Sequence, residues 1–285
     1  MGVIMKKAKK NVKKIKTIRT WGCMILATIL LSVCFISIGN IILWKIDSDK
    51  SNKLKNDIDS YTKIDEVDDN ENTELVGEPN EDDFLNDYWY YVKFPLINVD
   101  FIDLKNKNND TVAWINVNNT NINYPVVQTD NNDYYLTHSF DKTNNEAGWV
   151  FLDYRNDSSF SDKNTIVYAH SRLDKTMFGS LSKTLNSGWY ENKDNHIIRI
   201  SNEKENSLWQ IFSIYVIKTE SYYITTDFND DNSYLEFLNT IKDRSKYNFN
   251  ANLTKDDKII TLSTCYDDVR KTVVHAKMIK KEKRR

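Results

Sequence analysis

The feature that most constrains this chain is an apolar run of 24 residues, bounded by Trp21 and Trp44, whose only ionisable side chains are two thiols. A helix of that length crosses the hydrocarbon core of a bilayer. Core helices of soluble proteins this long usually carry a polar face. A cleaved signal peptide has a shorter apolar segment and a small-residue cleavage site, and none is evident after Asn40 or Trp44. The run therefore predicts a retained transmembrane anchor.

The charge beside this run predicts its orientation. Residues 1–20 carry eight lysines and arginines and no acid, although the whole chain has a formal net charge of −2. Basic residues next to an apolar span stay in the cytoplasm. We expect a cytoplasmic tail over 1–20, a signal anchor over 21–44 and an extracytoplasmic remainder, as in a single-pass protein of the cell membrane. Nucleic acid could also attract a basic block, but topology explains it more simply, and no nucleic-acid partner is expected.

The segment after the anchor is strongly acidic. Thirteen acids and a single base, Lys63, lie between Asp57 and Asp87. Such a composition is typical of a solvated spacer. We expect an extracytoplasmic linker over 45–84 and a catalytic domain over 85–285, with the aromatic cluster at 88–91 forming a short helix against its core.

The apolar runs downstream are short, rich in β-branched and aromatic residues, and separated by Asn and Asp turns. This pattern is typical of an antiparallel sandwich or barrel. The eight strand-like segments are 112–117, 124–128, 148–152, 165–168, 197–200, 208–218, 258–263 and 272–279. Two helical patterns interrupt them: Met177, Leu181 and Leu185 recur at helical spacing, and Ser233 with Glu236 forms a capping box. The sequence predicts a mostly β domain.

Cys265 is the one cysteine outside the predicted span, so no disulfide can form within the exported part. It ends the apolar run 259–264 and precedes a polar turn. A thiol in that place is either buried and inert or exposed at a strand end for chemistry. Composition alone leaves both interpretations open.

A nucleophilic cysteine needs a proton partner and a group that meets the charge on the attacked carbonyl. His170 follows the strand-like run 165–169 and should also lie at a strand end. We expect His138 and His196 to be surface loop residues and His275 to face outward from a strand. Arg270 follows Cys265 by five positions and is the candidate cation.

Several of these motifs together resemble a known family. TLSTC at 261–265, the strand end Tyr168-Ala169-His170 and a basic residue opening the strand at 273–277 resemble the Cys, His and Arg set of sortases. Further stretches resemble the class B subfamily, the cysteine transpeptidases of Gram-positive cell surfaces: 112–115, 124–128, 151–156, 176–179 and 223–228. The resemblance runs from about residue 85 to the end and implies a closed β-barrel of about eight strands with N-terminal and inserted helices.

The resemblance also implies the chemistry. Cys265 would cleave a C-terminal sorting motif of class B type, beginning Asn-Pro and ending Thr-Gly or Thr-Asn, after its Thr through a thioester. His170 would act as acid, and Arg270 would hold substrate or oxyanion. An amine of peptidoglycan or its lipid-linked precursor would then accept the surface protein. The implied substrate-binding residues are Leu136, Thr219, Tyr223, Ile224 and Ser263. No metal or cofactor is expected.

One departure concerns the cation. Class B sortases have several more residues between the cysteine and the arginine than the four found here, and ungapped matching of the last strand would select Lys271. Strand parity favours Arg270, since it shares a side with Thr272, Val274 and Ala276, whereas Val273, His275 and Lys277 should be largely solvated. We therefore expect Arg270 to be the site cation.

Two alternatives remain open at this stage. A hydrolytic cysteine protease would use the same Cys265 and His170 pair, with water as the acceptor. A non-catalytic cell-wall-binding module would keep the fold and bury the thiol.

Overall fold

The computed structural model describes residues 2–78, 87–267 and 269–284, with side chains from Thr20 onward, and the chain divides into units 1–49 and 50–285. The described residues of the first unit form the N-terminal part of helix α1 (Gly2–Tyr61). The last residues of this helix are counted in the second unit. The large apolar side chains from Trp21 to Ile46 are exposed, apart from half-buried Trp44. Among the described residues, one helix is long and apolar enough to cross a membrane, with a mean hydropathy of 2.4 in its most apolar window.

The end of α1 belongs to the second unit. Ile58 is fully buried in the main core. Lys55 Nζ lies 5.2 Å from the centre of the Tyr124 ring, and Asn145 Nδ2 donates to Ser51 Oγ over 3.1 Å. The last turns of this helix are therefore part of the folded domain.

The second unit is mostly β. Its strands are β1 (Ile64–Val67), β2 (Thr73–Leu75), β3 (Leu96–Val99), β4 (Thr111–Val117), β5 (Asn123–Val127), β6 (Phe151–Leu152), β7 (Asn164–Tyr168), β8 (Ile197–Asn202), β9 (Glu205–Lys218), β10 (Ile259–Cys265) and β11 (Arg270–Lys283). Its further α-helices are α2 (Tyr88–Tyr91), α3 (Ile102–Lys107), α4 (Ser187–Tyr190) and α5 (Asp231–Asp243). The 3-10 helices are Tyr134–Leu136, Gly179–Leu185, Lys193–Asn195 and Tyr222–Ile224.

Eight strands close into a barrel. The order is β10-β7-β6-β5-β4-β8-β9-β11, and the additional pairing of β10 with β11 completes the ring. The β5–β6 and β7–β10 pairs are parallel, and the other pairs in the ring are antiparallel. Trp114, Trp149 and Trp209 are fully buried and belong to the main core. The predicted closed barrel of eight strands is confirmed.

The acidic segment differs from the expected spacer. β1 pairs with β3 in a separate two-stranded sheet, and β2 pairs with the end of β11. All four residues of β1 pair with the mostly buried β3, so the acidity of the segment did not prevent strand formation. The compact unit begins at Lys50, well before the expected boundary at residue 85, which itself lies outside the described residues.

The helices differ from the expected ones in their boundaries. Helix α5 begins earlier than the Ser233 capping box suggested, because Asp230 is the N-cap and accepts from Ser233 N over 2.7 Å. The α-helix predicted from the spacing of Met177, Leu181 and Leu185 does not form. Met177 has a φ of 50°, and the two leucines lie in a 3-10 helix. The short helix expected in the aromatic cluster is confirmed as α2.

Candidate active site

The barrel brings Cys265 and His170 to one edge. β7 and β10 run parallel, and their last paired residues are Tyr168 and Ser263. Each functional residue lies two positions further along its own strand direction. Because parallel strands end at the same edge of a sheet, the two side chains share one rim of the barrel, as the strand-end prediction required.

The immediate neighbour of Cys265 is Lys271. The two residues are direct cross-strand partners where β10 pairs with β11, and both are half-buried. Lys271 Nζ donates a hydrogen bond to Cys265 Sγ over 3.0 Å. An ammonium at this distance can hold a negatively charged sulfur by a charge-assisted hydrogen bond. The thiol is therefore half-buried and lies within hydrogen-bond distance of a cation.

His170 is oriented by the backbone. Its Nε2 forms a hydrogen bond of 2.8 Å with the carbonyl oxygen of Leu136. A carbonyl oxygen only accepts, so Nε2 carries a proton, and Nδ1 is the nitrogen outside this bond. The ring is half-buried at the rim, which suits a group that exchanges a proton with substrate.

Gly148 allows this close approach. It has a φ of +58°, and a Cβ there would lie 2.5 Å from Tyr135 O, 2.9 Å from Leu136 O and 3.0 Å from His170 Cδ2. The position admits no side chain without displacing the carbonyl that holds the histidine. Gly148 is thus a positioning residue that the sequence analysis did not single out.

An ion pair between exposed Arg155 and buried Asp153 restrains the end of β7. Arg155 donates to both carboxylate oxygens of Asp153 over 2.9 and 2.7 Å, and Tyr168 OH donates to Asp153 Oδ2 over 2.9 Å. Burial works against the charged form, but the hydrogen bonds from Arg155 and Tyr168 outweigh it and hold the pKa of Asp153 below its ordinary value. Tyr168 lies two residues before His170, so this pair restrains the strand that carries the histidine.

The structure does not bring Arg270 to Cys265. Its side chain is exposed at the turn after the cysteine, where Nε and Nη2 contact Asp267 Oδ2 at 2.7 and 2.5 Å. Its guanidinium also lies over the Tyr266 ring, 4.7 Å from the centre. The cation beside the sulfur is Lys271.

The strand-parity prediction that one side of this strand is largely solvated was wrong, because β11 is buried on both faces. His275 and Lys277, expected to be largely solvated, are 0% and 2% exposed. The outer face of this part of the barrel is covered by α5, whose Phe237 and Leu238 share a core cluster with Val273. The alternation of polar and apolar residues therefore did not distinguish inside from outside.

Two of the five expected substrate residues are in contact. Tyr223 OH and Ser263 Oγ are 3.0 Å apart, and both side chains are buried. Burial raises the pKa of Tyr223, and the hydrogen bond with Ser263 and the charge of Lys271 act in the opposite direction. Tyr223 is therefore a neutral phenol next to the Lys271 and Cys265 pair.

The other three expected substrate residues form hydrogen bonds that involve a backbone carbonyl oxygen. Leu136 accepts from His170 through its carbonyl. Ile224 O accepts from Arg155 Nη2 over 3.1 Å. Thr219 donates to the carbonyl oxygen of Val269, through its backbone N–H over 3.0 Å and its hydroxyl over 3.3 Å.

A cavity of about 570 Å³ opens beside Cys265. Its lining residues are Ser171, Arg172, Leu173, Lys175, Ser182, Cys265, Tyr266, Asp267 and Thr272. None of the five expected substrate residues lines it. The sequence analysis did not identify the lining residues between 171 and 175, although they directly follow His170.

The remaining histidines lie in other environments. His196, expected at the surface, is 3% exposed and contacts Tyr91 OH at 2.7 Å, and its burial lowers its pKa to about 4. His275, expected to face outward, is fully buried between Thr261 and Tyr215. His138 is half-buried and stacks on Tyr134 with ring centres 4.0 Å apart.

Comparison with known proteins agrees with this geometry. The model of the Sortase domain matches residues 115–279. Sortase B of Staphylococcus aureus is 39% identical over 184 residues, which cover 63% of this chain and 75% of that protein. Sortase B of Listeria monocytogenes is 38% identical over 167 residues, which cover 57% of this chain and 65% of that protein, slightly less than two thirds of its length.

A solved structure extends the agreement to the fold. The Staphylococcus aureus sortase B–substrate complex superposes with a TM-score of 0.59 at 38% identity, covering 63% of this chain and 84% of that one. The family model spans more than half of the chain, and its match ends inside the strand that carries Lys271. On these grounds the chain belongs to the sortase family of cysteine transpeptidases.

Proposed function

We propose that this protein is a membrane-anchored transpeptidase that cleaves a C-terminal sorting motif and transfers the released protein to an amine of the cell wall. The observation that carries this proposal is the rim of the barrel, where Cys265 accepts a hydrogen bond from Lys271 and shares its edge with His170. The family membership supports the same reaction class.

The first half-reaction forms a thioester. The sulfur of Cys265 attacks the backbone carbonyl carbon of the motif's Thr, and a C–S bond forms while the carbonyl oxygen takes up negative charge. The C–N bond then breaks, and His170 gives the departing amine the proton that its Nδ1 has taken from the Cys265 thiol, while Nε2 keeps its own proton on Leu136 O. The second half-reaction reverses this order: an acceptor amine attacks the thioester, His170 takes its proton, and the thiolate leaves. Because the thioester conserves the energy of the peptide bond, no nucleotide is required.

The motif is proposed to be of class B type, Asn-Pro-x-Thr-Gly or Thr-Asn. The five candidate groove residues are Leu136, Thr219, Tyr223, Ile224 and Ser263. The contact of Leu136 with His170, and the position of the Tyr223–Ser263 pair two residues before Cys265 on its strand, support a place for these residues near the two reacting side chains. The solved relative is described as a complex of sortase B with substrate, which supports a peptide ligand for this fold.

The membrane assignment is also a proposal. The exposed apolar side chains between Trp21 and Ile46, and the eight basic residues before Trp21, support a single span with the N-terminus in the cytoplasm. The catalytic domain would then face the cell wall, where peptidoglycan or its lipid-linked precursor supplies the amine. Protease added to intact cells should digest residues 50–285 and spare the tail if this orientation is right.

A single experiment tests the enzymatic proposal. Full-length protein in detergent is incubated with a pool of sorting-motif peptides, with and without triglycine, and analysed by mass spectrometry. We expect an acyl adduct on Cys265 without amine and a triglycine amide with it. The Cys265→Ala variant is the control. Free acid as the main product even with excess amine would indicate a hydrolase, and no adduct from any peptide would count against the transpeptidase.

A further inference from the structure

The short loop after Cys265 decides which basic residue reaches the sulfur. Four residues separate Cys265 from Arg270, so β11 begins at once and pairs Cys265 directly with Lys271. Directly opposed residues of an antiparallel pair project to the same face of the sheet, and neighbours along a strand project to opposite faces. Lys271 therefore lies on the face of Cys265, and Arg270 does not.

Arg270 is engaged in the turn itself. Beyond its side-chain contacts with Asp267, its backbone N–H donates to Asp267 Oδ1 over 2.8 Å. Its carbonyl oxygen accepts from Tyr266 N over 2.8 Å. With the guanidinium stacked on the Tyr266 ring, these contacts make Arg270 a clip that closes the loop.

Lys271 instead faces the reacting atom. Its Nζ is 3.0 Å from Cys265 Sγ, and its side chain is half-buried, so solvent screens its charge less than that of a surface lysine. The nearby Tyr223 hydroxyl is engaged with Ser263 Oγ. The sulfur thus has a hydrogen-bonded ammonium, and the phenol nearby already has Ser263 as its partner.

We propose that Lys271 is the catalytic cation of this enzyme and that Arg270 acts only as the clip of the loop. The ammonium holds the sulfur as a thiolate before attack. When the C–S bond forms, the sulfur loses its charge, and the ammonium can turn to the oxyanion that develops on the attacked carbonyl. A lysine suits this double role because its rotatable, compact charge can follow the electron pair from sulfur to oxygen.

This assignment rests on the proposed function for its second role, and a variant series tests both roles. Lys271→Met removes the charge and keeps the length, and Lys271→Arg keeps the charge. Arg270→Met is the matched control one residue away. Two rates are measured on full-length protein: single-turnover acylation by the sorting peptide, and alkylation of Cys265 by neutral iodoacetamide, followed by peptide mass spectrometry with wild type measured in parallel.

The expected rates differ between the variants that remove the charge of Lys271 and the variant that keeps it. Loss of an oxyanion donor typically lowers turnover about 10²- to 10³-fold, so we expect Lys271→Met to lose roughly that much acylation and to alkylate more slowly. We expect Lys271→Arg to retain acylation within about 10-fold, and Arg270→Met to stay near wild type in both rates. Equal losses in Lys271→Met and Lys271→Arg would show that packing matters and charge does not, which would overturn the proposal. A loss confined to Arg270→Met would return the role to Arg270.

The test separates this inference from the proposed function. If wild type forms no acyl adduct with any peptide, the transpeptidase proposal fails, whereas the alkylation rates still report whether Lys271 acts on the sulfur. If Lys271→Met fails to unfold cooperatively, Lys271→Gln is measured in its place, since its polar tip is easier to accommodate.

Discussion

Replacing Gly148 by alanine tests whether backbone geometry orients the catalytic histidine. Gly148 has a φ of +58°, and an added Cβ would lie 2.5 Å from Tyr135 O and 2.9 Å from Leu136 O. A non-glycine residue in this region costs about 1–2 kcal/mol. Relief of the two backbone contacts adds a similar amount, because a carbonyl cannot swing away as a flexible side chain can. We expect a total loss of about 2–4 kcal/mol.

The same substitution should also lower the catalytic rate. Leu136 O accepts the hydrogen bond that orients His170, so moving this carbonyl releases the ring. Misplacement of a catalytic group by about 1 Å can lower the rate about 10²-fold, and we expect a loss of roughly that size in kcat. The matched control is Gly188→Ala in α4, since a Cβ at Gly188 meets nothing within 4 Å.

Thermal unfolding and single-turnover acylation measure the two effects. For a domain of this size, the expected loss of free energy of unfolding lowers Tm by roughly 5–15 °C. Gly188→Ala should leave both quantities near wild type. If Gly148→Ala has an unchanged Tm and an unchanged acylation rate, the loop at 135–136 does not depend on the glycine, and the account of His170 orientation is wrong.

Further predictions concern the two reacting residues, His196 and the N-terminal helix. Cys265→Ala should abolish acyl transfer with an unchanged Tm, and His170→Ala should lower turnover about 10²- to 10⁴-fold; near-normal turnover in the latter would exclude His170 as the acid. Burial holds the pKa of His196 at about 4, below the usual 6.5, so its neutral form stabilises the fold above pH 6.5, and about 3 kcal/mol should be lost as pH falls from 6.5 to 4. Urea titrations should show that loss flattened in His196→Gln. Removing residues 1–44 should leave a soluble, active domain, whereas removing 1–61 should lower Tm because it strips Ile58 from the core.

The sequence predicted the parts of the site that depend on strand ends. An apolar run that stops at Cys265, and another that stops before His170, were enough to place both residues at strand ends, and the parallel pairing of β7 with β10 brought those ends together. The barrel was predictable for the same reason, since each strand carries its own pattern of β-branched residues. Burial of His275 was not, because it depends on α5 covering the outer face of β11.

The acidic segment shows a second limit of sequence reasoning. Composition over 57–87 indicated a solvated spacer, yet β1 and β2 find partners in β3 and β11. A short strand needs only an open edge nearby, and the position of an edge is set by the rest of the fold. The side of Lys271 was equally a matter of register, because it depends on which residue of β11 pairs with Cys265.

The pairing of β11 has a consequence for how the chain folds. This last strand pairs with β2, β9 and β10, and Lys280 is opposite Leu75. The barrel therefore cannot close until residues 270–283 have emerged, and before then β9 and β10 present open edges that invite pairing between chains. Contacts of such large sequence separation slow folding. A nascent chain lacking residues 270–285 should aggregate, and a chaperone that shields strand edges should raise the yield of the complete one.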